Sequence, residues 1–268
     1  MGGIMNGALA EIFALERRDE DRFTVQPVES EMQRTFGGQV AAQSLRAAQL
    51  TVPSERPVHS LHAYFIRGGQ PAKPLHLDVR RTRDGRTFST RHVTAVQDGK
   101  AIFELVASFQ DPEDGEEWQP SGPLGVPAPE ELPSYRLPSW FGDIPNFDVR
   151  PVNPLGDEEF PLRHPFWFRS LEPVEDASLN PCVLTYVSDV AVVDSSRAPG
   201  STARYATAVS LDHAVWFHRP ARAEEWLLYS MDTHINHGAR GLARGTMHTL
   251  DGTLVASISQ ETLLRPRA

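Results

Sequence analysis

The chain repeats itself. Ser210-Leu-Asp-His-Ala-Val-Trp-Phe-His-Arg-Pro220 echoes His59-Ser-Leu-His-Ala-Tyr-Phe-Ile-Arg67, with His213-Ala214 over His62-Ala63 and Arg219 answering Arg67 once a single insertion is allowed. Two pairs of turn dipeptides keep one spacing: Asp84-Gly85 and His237-Gly238 are 153 residues apart, as are Asp98-Gly99 and Asp251-Gly252. A spacing shared by two turns and the run between them is what duplication of a supersecondary unit leaves behind. A chain of 268 residues suits two such units of roughly 100 to 150 residues sharing a face.

Within the first unit, Phe36-Gly37-Gly38 precedes Gln39 to Leu50, where Val40, Ser44, Leu45 and Ala48 fall on one helical stripe. Ala41, Ala42, Ala47 and Ala48 keep that helix slim enough for strands to approach it. From Val58 the period becomes two, with Leu61, Ala63 and Phe65 on one face and His62, Tyr64 and Ile66 on the other, which predicts a strand covered on both sides. Strands are expected over 75–79, 87–97 and 101–109, with Asp-Gly hairpin turns between them. Between Pro112 and Pro165 lie 12 of the chain's 22 prolines, a composition that interrupts helix and strand alike. Trp140, Phe141 and Phe147 suggest that this crossing packs on a surface. The second unit repeats the order: a helix starting near Ser188 or Asp189 as N-cap, then strands at 208–218, 225–234, 240–250 and 253–265.

The net charge of −9 argues against a nucleic-acid binder, which neutralises phosphates with Lys and Arg. Cys182 is the single cysteine, so no intrachain disulfide can form and a reducing, cytoplasmic setting is the simple reading. Residues 8–16 carry acids inside an apolar stretch and read as an amphipathic helix, not a signal peptide. Asn6 stands where a myristoylation signal has Ser or Thr, and no apolar run reaches the roughly 18 residues of a membrane span. No membrane anchor is expected.

On its motifs the chain resembles the acyl-CoA thioesterase II family, the TesB-like double hot-dog thioesterases. The resemblance runs through Phe36-Gly-Gly-Gln39, His59 to Arg67, Arg83-Asp-Gly-Arg-Thr-Phe-Ser89, Ile102-Phe103 and Ala107-Ser-Phe-Gln110. It continues through Tyr186-Val-Ser-Asp189, Leu211 to Pro220, Trp226-Leu-Leu-Tyr-Ser230, Asp251 to Ser257 and Gln260. What it implies is an α+β chain of two tandem hot-dog repeats, each a long helix wrapped by an antiparallel sheet. Residues 1–110 form the first repeat, 111–165 a Pro-rich linker, and 166–268 the second repeat. It also implies hydrolysis of an acyl-CoA substrate without cofactor or metal, by a chain that forms a homodimer or larger homo-oligomer.

The family's site is an Asp at the start of the second helix, a Thr or Ser in the next strand and a Gln in the last strand. These fall on Asp189, Ser210 and Gln260, with Ser210 a mild departure from the usual Thr. Ala107 aligns with Gln260, and Gln39 with Asp189, so the first repeat lacks a complete site. Asp189 can take a proton from water as general base, while Ser210 and Gln260 hold that water's line of attack. Direct attack by the carboxylate stays open. Gly37 and Gly38, at a helix start, are candidates for contacting substrate through backbone N–H groups, and His59, aligned with Ser210, is a candidate for the pocket wall.

Each residue also has a plainer reading: Asp189 as an N-cap, Ser210 as a strand hydroxyl, Gln260 as an edge amide. His213 reads as a strand histidine with satisfied hydrogen bonds. A Ser210–Asp212–His213 nucleophilic arrangement is excluded on the ground that in one strand 210 and 212 share a face while 213 points away. No Gly-x-Ser-x-Gly elbow occurs, and His234-Ile-Asn-His237 lacks a third metal ligand. Arg67, Arg91, Arg219 and Arg244 can meet CoA phosphates or form surface ion pairs. The alternatives are an acyl-CoA-binding sensor without turnover and a hot-dog enoyl-CoA hydratase, for which Asn153-Pro-Leu-Gly-Asp157 has the wrong order.

Overall fold

Two-residue turns with left-handed backbone organise the sheet. Asp98 and Gly99 both have positive φ (50° and 70°), as do Gly238 and Ala239 (57° and 58°), the geometry that matches the twist of paired strands in a tight hairpin. A computed structural model describes residues 8–27, 33–123, 125–136, 147–155 and 162–267. Trp140, Phe141 and Asp157, named above, lie outside the described residues.

The described strands are β1 (Glu16–Asp19), β2 (Arg22–Val25), β3 (Val58–Phe65), β4 (Leu75–Asp84), β5 (Phe88–Gln97), β6 (Lys100–Gln110), β7 (Phe147–Pro151), β8 (Phe166–Ser170), β9 (Tyr205–Ser210), β10 (Asp212–Phe217), β11 (Leu227–His237), β12 (Arg240–Thr249) and β13 (Leu254–Pro266). All pair antiparallel in one sheet, ordered β1-β2-β4-β5-β6-β3-β10-β13-β12-β11-β8-β7, with β9 also on β13. The two halves meet where β3 pairs with β10. The helices are α1 (Ala8–Ile12), α2 (Gly37–Gln49), α3 (Asn180–Val187) and α4 (Val192–Ser195). Among them α2 packs on β3, β4, β5 and β6 and on α3. Ala41, Ala42, Leu45, Ala47 and Ala48 are wholly buried there, because small side chains let a helix sit between a sheet and a second helix.

Several expectations need correction. No helix begins at Ser188 or Asp189: α3 starts at Asn180-Pro181, proline being favoured in a first turn, with Ser188 as its C-cap, and the short α4 starts at Val192 with Ala191 as its N-cap. The stretch 8–16 is helical only to Ile12, and Glu16 already starts β1. Strand β3 is covered on one side, not two, since His62, Tyr64 and Ile66 are exposed, as befits an antiparallel sheet with helices on one face. The Pro-rich crossing holds β7, whose Pro151 sits at the end of an edge strand where no ladder donor is required. The His-Ala echo is out of phase in space. His62 faces solvent beside Trp216, ring centroids 5.1 Å apart, while His213 is buried.

Candidate active site

The strand expected over 208–218 is broken. Ser210 pairs with Thr262 in register with β13, yet Ala214 pairs with Ser259, so residues 210–214 carry one more residue than the strand opposite. Such a bulge reverses which face the following side chains occupy. Its backbone is held by Leu211 N–H donating to Glu261 O (2.8 Å) and by Asp212 Oδ1 accepting from Glu261 N–H (2.6 Å). The consequence overturns the argument from alternation: Ser210 and His213 both reach Gln260, while Asp212 turns away to the backbone of β13.

Asp189 stands in the turn between α3 and α4 and reaches across to α2. Its Oδ2 accepts a 2.9 Å hydrogen bond from Gly38 N–H, one of the donors that a helix start leaves without an intrahelical partner. Phe36, the residue before α2, supplies no side-chain cap, so the carboxylate of Asp189 does so from the other half of the chain, at the positive end of the helix. Glycine is required here. A Cβ on Gly37 would lie 2.7 Å from Asp189 Oδ2 and 2.7 Å from Phe65 Cε1, and one on Gly38 would lie 2.4 Å from the Tyr186 carbonyl.

Ser210 and Gln260 complete the cluster. Gln260 is fully buried, and its Nε2 donates to Ser210 Oγ at 2.7 Å. Both side chains lie near enough to the Asp189 carboxyl to pull its pKa down. Burial of the carboxyl among Tyr186, Tyr229 and the helix start pushes its pKa up to about 7, against the opposing pull of Gln260, Gly38 and Ser210. The residue nevertheless keeps partial contact with solvent. The turn itself is pinned: Tyr229 Oη donates to Ser188 O (2.5 Å), and the buried His164 ring lies 3.1 Å from Val190 O.

The structure therefore brings Asp189, Ser210, Gln260, Gly37 and Gly38 together and leaves His59 out. Ser210 lies at the Phe65 end of β3, where Phe65 N–H donates to Leu211 O (2.9 Å). His59 is at the opposite end, about 20 Å along the strand at roughly 3.3 Å per residue, with Nε2 2.8 Å from Ser108 Oγ. Gly38 N–H is already engaged by Asp189, which removes it as a contact for substrate. Arg91 is not a phosphate ligand: it is buried and donates to Thr51, Arg83 and Asp84. The residue missed was His213, and the bulge that turns it inward has no local signal beyond the Leu211-Asp212 pair.

A family model described as acyl-CoA thioesterase N-terminal domain matches residues 26–110, and one described as acyl-CoA thioesterase matches residues 145–263. Human acyl-coenzyme A thioesterase 8 is 34% identical over 290 residues, covering 98% of this chain and 91% of its own. Acyl-CoA thioesterase 2 of Haemophilus influenzae is 34% identical over 286 residues, 99% of each chain. The crystal structure of an acyl-CoA thioesterase II, TesB2 of Mycobacterium marinum, superposes with a TM-score of 0.83 at 39% identity over 97% of this chain and 99% of that one. A protein with a hot dog fold from Alicyclobacillus acidocaldarius superposes with a TM-score of 0.78 at 19% identity over 98% of this chain and 100% of that one, a likeness of fold alone.

Proposed function

Because this chain belongs to the TesB-like acyl-CoA thioesterase II family, we propose that it hydrolyses acyl-CoA by directing water at the thioester carbonyl with Asp189, Ser210 and Gln260. The observation that carries this reading is convergence. A hydroxyl from β9 and an amide from β13 hydrogen-bond to each other beside a carboxylate from the α3–α4 turn that retains some water access.

A thioester is already activated, so the enzyme's work is to place and deprotonate a water molecule. Asp189, with its pKa raised to about 7 by burial, is poised to accept a proton near neutrality, an effect worth roughly 10²–10⁴ in rate. Ser210 and Gln260 do not titrate usefully and orient the water instead. Attack forms the C–O bond as Asp189 takes the water's proton. The tetrahedral intermediate then collapses, the C–S bond breaks, and the departing CoA sulfur receives that proton. The products are free acid and CoA.

We read the halves as tandem hot-dog repeats, 1–110 and 166–268, each a helix wrapped by its sheet, joined by 111–165. The matching strand orders β2-β4-β5-β6-β3 and β8-β11-β12-β13-β10 support this. With Ala107 where the second repeat has Gln260, one site per chain follows. The single cysteine fits a cytoplasmic setting, and among the described residues no helix is long and apolar enough to cross a membrane. His62, Tyr64, Val106 and Trp216 form an exposed strip over β3, β6 and β10 that suits a homodimer contact.

The test is release of free CoA from short, medium and long acyl-CoA esters by wild type, Asp189→Asn and Gln260→Ala. Activity reduced on the order of 10²-fold or more in the Asn variant is expected. A folded wild type that binds every ester and hydrolyses none would refute the hydrolase.

A further inference from the structure

His213 takes no part in the mechanism above, yet its ring joins the two ends of the site. It is 1% exposed, with Nδ1 2.5 Å from Gln260 Oε1 and Nε2 2.7 Å from Ser188 Oγ. Gln260 Oε1 can only accept, so Nδ1 must carry the proton. Burial holds the ring neutral, its pKa pushed down to about 4, and Nε2 is therefore bare and accepts from the Ser188 hydroxyl. Ser188 directly precedes Asp189, and donors run from Ser188 to His213 and from His213 to Gln260, whose amino group lies near the Asp189 carboxyl.

The orientation of an amide in such a place is not self-determined. As placed, the Gln260 amino group gives one hydrogen to Ser210 Oγ and faces Asp189 with the other. Turned through 180°, it would set its oxygen against the carboxylate. The Ser188 hydroxyl has a competing acceptor in Thr185 O at 2.8 Å. If that bond won, His213 would move its proton to Nε2, its bare Nδ1 would oppose Gln260 Oε1, and the amide would reverse. The circuit has two proton arrangements, and only one points a donor at Asp189.

We propose that His213 is a positioning residue: its Nδ1–H on Gln260 Oε1, with the tautomer set by Ser188, locks the Gln260 amide so that its amino group faces Asp189 and Ser210. This rests on the hydrolase reading of the Asp189 site.

The test compares His213→Leu, which removes the donor, with His213→Asn, whose amide can stand in for Nδ1–H. Ser188→Ala and Gln260→Ala are made alongside, as is the His213→Leu, Gln260→Ala double variant. kcat and KM for one acyl-CoA ester are measured across pH 5–9, with thermal unfolding. His213→Leu should lower kcat on the order of 10²-fold with KM little changed. It should also move the acid limb of the kcat profile to higher pH, because Asp189 has lost a donor. His213→Asn should recover most of the rate and return the limb, and Ser188→Ala should move kcat and the limb in the Leu direction. On the Gln260→Ala background, His213→Leu should add almost nothing. A histidine that only fills space would lower the melting temperature, leave the limb in place and add its loss to that of Gln260→Ala; that pattern overturns the proposal. Should the Leu variant fail to fold, an unmoved kcat and limb in Ser188→Ala overturns it too. Full activity in Asp189→Asn would instead bring down the hydrolase site itself, a distinct result.

Discussion

Replacing Asp189 by Asn should make the protein slower and more stable, and the stability gain should depend on pH. In the unfolded chain this carboxyl titrates near its ordinary value of 3.8, whereas burial raises it to about 7 in the folded protein. The folded state thus holds the proton more tightly. The stability this contributes is fully present below about pH 4 and is lost as pH rises through 7. At about 1.4 kcal/mol per unit the full penalty for ionisation is about 4 kcal/mol, and partial water access reduces it to about 2 kcal/mol. Asn has the same shape and no charge, so its advantage over wild type should be small near pH 4 and reach about 2 kcal/mol at pH 8, a rise of roughly 5 °C in Tm for a chain of this size. Calorimetry of both proteins at pH 4.5 and 8 measures it. In parallel, wild-type kcat should climb about tenfold per pH unit below 7 and then level, while the Asn variant lacks that limb and is slower by roughly 10²–10⁴. A gain in Tm that is equal at both pH values would refute the claim that this carboxyl is strained by its burial.

Three further outcomes follow from packing. Gly37→Ala places a methyl 2.7 Å from Asp189 Oδ2 and should cost about tenfold or more in kcat, with a circular dichroism spectrum like wild type. Ser44→Ala removes a fully buried hydroxyl that has no hydrogen-bond partner among the described residues, and should stabilise α2 by about 1 kcal/mol, read as a higher denaturant midpoint. Arg91→Met strips donors from Thr51, Arg83 O and Asp84, and should destabilise by about 3 kcal/mol in the same unfolding experiment.

Strand positions were legible wherever a turn dipeptide forces the backbone: β5, β6, β12 and β13 lie within a residue or so of their expected bounds because Asp-Gly and His-Gly turns end them. Residues 16–25 carried no such alternation, and β1 and β2 were not foreseen. Their strands are four residues each and owe their place to the pairing of β2 with β4 and of β1 with β2. The three polar residues of the site came from motif resemblance, since nothing local distinguishes Gln260 from an edge amide. How they meet was not legible. Asp189 was expected to open its own helix, and instead it caps α2, a partner 151 residues away. A helix start without a capping side chain, as at Phe36, is the one sequence-level sign that a donor awaits something distant.

The site depends on a single extra residue. In an unbroken strand Ser210 and His213 would lie on opposite faces, and Gln260 could meet one of them but not both. The bulge at Leu211-Asp212 lets β9 present Ser210 inward on Thr262 and β10 present His213 inward on Gln260. β3 carries an extra residue as well, between Val58 and Ser60 against β6, and there Val58 and Leu61 take the inward places, so the His-Ala dipeptides that align in sequence sit one residue out of step in space and His62 points to solvent. Since both halves bulge, the second half differs in what the bulge presents: Ser210 and His213 inward beside Gln260, where β3 presents Val58 and Leu61 beside Ala107. The register change makes such a site possible in either half, and the choice of side chains confines it to one.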